Sequence, residues 1–492
     1  MAEPDATLVH LPPGAVRGRE SAGVVHFRDI PYAAPPVGDR RFAPPRPPEP
    51  WTGERRPTGA TAPQRTRAFP GLDLTPLIGS GWVPGDDYLT LDVRRPAGSA
   101  TNRPVMVFVH GGGFIVGSKD ASVHAGDAFA RDGIVLVTIN YRLGVDGFLP
   151  IRGVPTNLGL RDILAALAWV RDHIALFGGD PANVTAFGES AGAMALADLV
   201  ASPAARGLFR RAILQSGHAG MTRPIPVAER LVKKLARFLH TRPDRAGFAR
   251  VPQDEALDAV AKLARPATRL NLRGPDGREP AFGITRFLPV HGDDLLPLPP
   301  LEALAAGTGA EIDVLIGANS DEMNLYLVPA GTGAKANRLL AWLTLRRSQP
   351  RAMAVLKAYG VAGETVGPRL ARALTDLVFR APVRRFAAAH RGRSWVYEFD
   401  WRSPRFDGQL GAAHGNELPF VFDTLASATG PESMLGEDPP QPLADRVHAL
   451  WVRFATDGTL PWPQFTPEAR HVHHLAADET VEEAPLPAER FL

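Results

Sequence analysis

With 492 residues, of which 45% are hydrophobic and 22% charged, the chain is long and apolar enough to bury a large core. The formal net charge is only +3; the basic residues, all but six of them Arg, are scattered among 52 acidic ones with no long basic run, which argues against a nucleic-acid-binding chain. There is no Cys, which excludes disulfides, thiolate metal sites and a Cys nucleophile.

Residues 14–66 read as extended and Pro-rich. Val16–Gly18 and Gly23–Phe27 predict a hairpin, and Ile30–Gly38 a loop, because its prolines cannot donate within a central strand. A Gly- and Pro-punctuated loop with Trp82 spans 67–87, and Leu89, Leu91 and Val93 alternate with polar residues as a strand does. Val105–Val109 is a continuous apolar run leading into His110-Gly111-Gly112-Gly113-Phe114, and Ile134–Ile139 is another, as expected of parallel strands buried on both faces. From Leu160 to Phe177 apolar residues at 160, 163, 164, 167, 170 and 174 set a helical period. Val184–Phe187 predicts a strand, Ala191 onward a helix, and Ala212–Gln215 a strand. Residues 221–285 and 330–392 read as helical, Arg-rich insertions that wall a cleft, and Asp313–Gly317 and Ser394–Phe399 return as strands.

Beyond them, 425–442 reads as loop and Ala444–Phe454 as helix. His471–His474 reads as an exposed strand without a carboxylate at ligand spacing, and the acidic tail from about 475 as poorly packed. Strands alternating with helices predict an α/β protein with a mostly parallel central sheet flanked by helices. With no repeat and no evident linker, residues 1–492 are expected to form a single domain. The opening residues lack a basic stretch followed by an apolar one, and no apolar run is long enough for a membrane span, so a cytoplasmic protein is expected.

The chemistry concentrates at Gly188-Glu189-Ser190-Ala191-Gly192. A Gly-x-Ser-x-Gly at a strand-to-helix turn lifts the serine hydroxyl from the end of a sheet, with a helix N-terminus behind it to favour developing negative charge. Glu189, beside it, reads as a buried structural acid pointing away. A serine nucleophile needs a base, an orienting acid and donors for an oxyanion. His110-Gly111-Gly112-Gly113 follows a buried strand upstream, and its glycines let backbone N–H groups approach a substrate carbonyl; the N–H of Ala191 is the other donor.

Together, His110–Phe114, Phe177-Gly178-Gly179-Asp180-Pro181, Gly188–Gly192 and Gln215-Ser216-Gly217 resemble the type-B carboxylesterases, a family that includes bacterial para-nitrobenzyl esterases and the cholinesterases. Phe27–Gly38 with Arg41-Phe42 is similar to that family's N-terminal signature, and the resemblance runs from about residue 14 to Phe465. It implies an α/β-hydrolase fold. Gly317-Ala318-Asn319-Ser320-Asp321-Glu322 matches the stretch that carries the family's triad acid, which implies Glu322; Gly411–Phe420, with His414-Gly415-Asn416-Glu417, implies His414 as the base. Ser190, Glu322, His414 is also the chain order used by α/β-hydrolases. The resemblance further implies ion pairs of Arg142 with Asp162 and of Arg41 with Asp86. The family's first disulfide position falls on Ala62 and Tyr88, so that loop carries no disulfide.

The implied activity is hydrolysis of small carboxylic esters through an acyl-enzyme on Ser190, with Gly112, Gly113 and Ala191 as the oxyanion hole. No cofactor, no metal and no nucleic-acid partner is expected, and the oligomeric state is left open. A thioesterase, lactonase or acyltransferase on the same triad is the alternative, because a triad specifies the nucleophile and not the leaving group. A catalytically silent binding protein is more remote, since every triad position is filled. Phe114, Trp82, Met323 and residues 330–350 are the candidates for the substrate pocket.

Overall fold

The computed structural model describes residues 7–66, 68–265 and 268–492. Its organising element is a sheet of eleven strands: β1 (Arg19–Ser21), β2 (Val24–Pro31), β3 (Thr90–Pro96), β4 (Arg103–Val109), β5 (Val135–Ile139), β6 (Gly179–Glu189), β7 (Arg211–Gln215), β8 (Asp313–Asn319), β9 (Ser394–Phe399), β10 (His471–His474) and β11 (Glu479–Glu482). Their spatial order is β11-β10-β9-β8-β7-β6-β4-β5-β3-β2-β1. From β5 to β10 the neighbours run parallel, while β1, β2 and β3 on one side and β11 on the other are antiparallel.

The apolar runs form the middle of this sheet because both of its faces are covered. Val105, Val107 and Val109 of β4 pack into one core, with Leu160, Ile163, Leu167 and Val170 of the helix Leu158–His173. Met106 and Phe108 pack into the other, with Phe129, Phe422, Trp451 and Phe454. The side-chain period of two sends alternate residues of one strand into opposite layers, so an uninterrupted apolar run is what such a strand requires. The helix Gln441–Asp457 that supplies Trp451 and Phe454 extends beyond the predicted Ala444–Phe454 at both ends.

The chain moves outward from β4 to β5 and then returns across β4 to β6. That reversal opens a crevice beyond the carboxyl ends of β4 and β6, where ligands bind in open α/β sheets. Residues 221–285 contain the helices Ile225–Phe238 and Gln253–Ala264. Residues 330–392 contain Arg338–Arg346, Ala352–Ala358, Val366–Thr375 and Ala381–Ala389, the last two joined by a π-helical turn over Asp376–Arg380.

Two expectations fail near the C-terminus. His471–His474 is an internal strand paired on both sides, with His473 buried and its ring stacked on Trp462 at 4.2 Å. The tail is anchored at several points, although Asp478, Glu479 and Glu482 are exposed: β11 closes the sheet, Glu483 pairs with the fully buried Arg384 at 2.9 Å, and Phe491 is buried. A run of acids reads as a solvated tail only while its basic partners, about a hundred residues upstream, are out of sight. The 67–87 loop also carries a short helix, Thr75–Ile78; Arg67 lies outside the described residues.

Candidate active site

Ser190, Ala191, Glu322, Gly112 and Gly113 lie just beyond the carboxyl ends of parallel strands, and His414 lies on the long loop that follows β9. β6 ends at Glu189 and the helix Ala191–Val200 begins at once, so Ser190 makes the whole turn, at φ 52° and ψ −120°. An L-residue holds such a conformation only when its surroundings impose it. Here close backbone packing imposes it: a Cβ on Gly188 would lie 2.7 Å from the Val109 carbonyl oxygen, and one on Gly192 only 1.9 Å from the same atom. Val109 is the residue opposite Gly188 in the β4–β6 register, so strand pairing sets the loop after β4 beside the serine.

That loop is His110–Gly113. A Cβ on Gly111 would meet a Glu189 carboxylate oxygen at 2.5 Å, and Gly112, at φ +102°, has room for none because the Val116 carbonyl oxygen lies 2.0 Å away. The loop is braced from below by the Tyr141 hydroxyl, which donates to the His110 carbonyl at 2.8 Å, and by that ring stacked on His110. From above, the Thr285 hydroxyl donates to the Gly113 carbonyl at 2.7 Å. Among the described residues, the backbone N–H groups of Gly112, Gly113 and Ala191 donate to no protein acceptor. Ala191 is buried and Gly112 and Gly113 are half-buried, so all three N–H groups are left available to a ligand oxygen.

His414 Nε2 lies 2.8 Å from the Ser190 hydroxyl, and Nδ1 lies 2.6 Å from Glu322 Oε2. The other oxygen of Glu322 accepts the Asn319 N–H at 2.8 Å, and Glu322 is fully buried. Asp321 turns the other way, accepting from Arg402 at 2.5 Å and from the Ala412 N–H at 3.1 Å. Asn319, the last residue of β8, donates from its side chain to the Ala413 carbonyl and to Glu417, each at 2.7 Å, so one amide ties the acid-bearing loop to the histidine-bearing loop. The His414 ring is held between Phe379, centroids 4.8 Å apart, and Tyr326 at 5.8 Å.

The reading of Glu189 is corrected by the geometry. It does not point away: its Oε1 lies 3.2 Å from His414 Nε2, on the side of the ring that faces the serine. Burial pushes its carboxyl up to about 8, against the pull of His414 and with help from Glu417 and Glu322. Burial works against a charged His414, but the carboxylates of Glu189 and Glu322 outweigh it and lift the ring to about 9. The base-competent form is the one with a neutral imidazole, and the Glu189 carboxylate opposes its formation. A strand-to-helix turn reverses the side-chain direction within one residue, which alternation along β6 alone does not reveal.

Arg142 and Asp162 form the expected pair, bidentate at 2.6 and 2.7 Å and fully buried. Arg41 pairs instead with Asp146 at 3.1 Å, and Asp86 is exposed. Phe114 belongs to the core, packed 4.4 Å from Phe148, and is not part of a pocket. Phe379 and the roles of Asn319 and Glu417 have no local sequence signal. Only the His-Gly-x-Glu spacing marked Glu417 at all.

Among the described residues, one group of carboxylates has metal-ligand proximity: Asp29, Asp92 and Asp120. The Lys119 ammonium sits among them, at 2.7, 2.6 and 3.1 Å, and supplies the cation that balances them. No helix among the described residues is long and apolar enough to cross a membrane.

A serine, an imidazole and a carboxylate joined in line beside free backbone donors can carry out acyl transfer, and comparisons with known proteins agree. Residues 5–489 match the model of the carboxylesterase family. The chain is 35% identical over 489 residues to the para-nitrobenzyl esterase of Bacillus subtilis, covering 96% of this chain and 95% of that protein. It is 35% identical over 477 residues to the phenmedipham hydrolase of Pseudarthrobacter oxydans, covering 93% and 92%. A crystal structure of a Geobacillus stearothermophilus carboxylesterase superposes with a TM-score of 0.82 at 32% identity, covering 98% of this chain and 99% of the other. The α/β-hydrolase fold and the motifs around the serine thus have one explanation: the chain belongs to the carboxylesterase family and is a serine-dependent carboxylic-ester hydrolase.

Proposed function

We propose that Ser190 is the nucleophile, His414 the base and Glu322 the orienting acid, acting on small esters. As the Ser190 hydroxyl attacks the ester carbonyl, its proton passes to His414 Nε2. Glu322 fixes the tautomer through Nδ1 and stabilises the imidazolium. The carbonyl oxygen becomes an oxyanion held by the N–H groups of Gly112, Gly113 and Ala191, each typically worth roughly 3 kcal/mol in the transition state. Collapse expels the alkoxide, which takes the proton from His414 and leaves an ester on Ser190. Water then attacks that ester with the same base, releasing the acid and restoring the hydroxyl.

The observation that carries this reading is the continuous chain of contacts, 2.8 Å from Ser190 to His414 and 2.6 Å from His414 to Glu322, both within hydrogen-bond reach. Ser190→Ala is expected to abolish hydrolysis of nitrophenyl acetate while the melting temperature stays within a degree or so of wild type. Substantial residual turnover by the purified variant would place the nucleophile elsewhere.

The same reading takes residues 1–492 as one catalytic domain whose insertions, about 221–285 and 330–392, wall the cleft. Phe379 of the second insertion, 4.8 Å from the His414 ring, supports this. Cytoplasmic placement completes the reading; the fold needs no disulfide, as a reducing compartment demands, and cell fractionation tests it.

A further inference from the structure

The 41 residues from Met323 to Gly363 carry six basic side chains and no acidic one, in a chain whose total net charge is +3. Of the eight large apolar side chains exposed among the described residues, five fall between 339 and 361. Three lie on one short helix, Arg338–Arg346: Leu339 is 63% exposed, Leu343 44% and Leu340 38%. The opposite face of that helix, Ala341 and Leu345, is buried against the protein. A helix apolar on both faces is normally buried all round, yet this one faces outward.

The apolar face is framed by cations. Exposed Arg338 stands at its start, and Arg346 and Arg347, also exposed, at its end. The Arg346 guanidinium lies 4.7 Å over the Trp342 ring, so its stem follows the apolar surface while its charge reaches the edge. Arg273 joins the same end, donating to the Arg347 carbonyl at 2.9 Å. On the loop around Arg273 the acids are engaged: Glu279 is buried with Arg223, and Asp276 lies 3.8 Å from Arg278.

From this juxtaposition we propose that the face Leu339, Leu340, Leu343, rimmed by Arg338, Arg346 and Arg347, docks on an anionic phospholipid surface. Such a surface offers acyl chains for the leucines and phosphates for the guanidiniums, the two requirements of an interfacial helix. A second copy of this chain is disfavoured as the occupant, because a two-fold contact through the face would set its cations against their own equivalents. Docking does not involve acyl transfer, so it is tested independently of Ser190.

The test is sedimentation of the full chain with vesicles of phosphatidylcholine, with and without phosphatidylglycerol. The protein is expected to sediment with the anionic vesicles, to remain in solution with pure phosphatidylcholine, and to be released by raised salt. Leu339→Ser/Leu343→Ser and, separately, Arg338→Glu/Arg347→Glu should each weaken binding about tenfold or more. Both pairs are exposed, so both variants should fold with an unchanged melting temperature. No sedimentation with anionic vesicles at low salt would overturn the proposal. So would wild-type sedimentation by both folded variants, or a protein dimer that the leucine substitutions dissociate while lipid binding is unaffected.

Discussion

Replacing Glu322 by Gln keeps the size of the side chain and removes only its charge. At 2.6 Å from His414 Nδ1, a carboxylate stabilises an imidazolium by about 6 kcal/mol at an effective dielectric constant near 20. Divided by about 1.4 kcal/mol per decade, this predicts a fall in kcat of roughly four orders of magnitude, the scale known for loss of the acid in other triads. The neighbouring Asp321→Asn is the control. Its carboxylate faces Arg402, which is 59% exposed, so solvent screening leaves the pair worth less than about 1 kcal/mol of stability. An Asn oxygen can still accept the Ala412 N–H. Steady-state kinetics on nitrophenyl acetate, with thermal melts of both purified variants, decide the matter. If Asp321→Asn loses turnover while folded and Glu322→Gln does not, the assignment of the acid is wrong.

The Glu189 carboxylate, 3.2 Å from His414 Nε2, favours the imidazolium, so Glu189→Gln should lower the pKa of the base. The acidic limb of the kcat/KM profile should then move down by about one pH unit or more, with some loss on the plateau; an unmoved or raised limb would contradict the contact. Asp162→Asn leaves the buried Arg142 without its counter-charge and should destabilise the fold by about 3–5 kcal/mol in denaturant melts, while a change below 1 kcal/mol would mean that solvent reaches the pair.

The parts of this molecule legible in the sequence were those whose cause is local. Val105–Val109 had to be a strand buried on both sides because no polar residue interrupts it, and Gly188–Gly192 had to be a tight turn because neither glycine can carry a Cβ there. Glu322 and His414 came from motif resemblance, since nothing local separates His414 from thirteen other histidines. What escaped depended on tertiary partners distant in sequence. Arg41 finds Asp146 and not Asp86 because the partner is chosen by the packing of segments more than a hundred residues apart, Asp146 lying on the short helix Gly144–Phe148. The C-terminal acids look solvated until Arg384 is set against Glu483. Glu189 was misread because its direction is decided by the strain at Ser190, which only the geometry of the turn reveals.

The central claim is that Ser190 becomes the acyl carrier. Treatment of the purified protein with a fluorophosphonate, followed by proteolysis and mass spectrometry, tests it most directly. A single adduct on the peptide carrying Ser190, formed in step with loss of esterase activity and absent from Ser190→Ala, is the predicted result. Inactivation with the adduct on another residue, or full activity after complete modification of Ser190, would contradict the account.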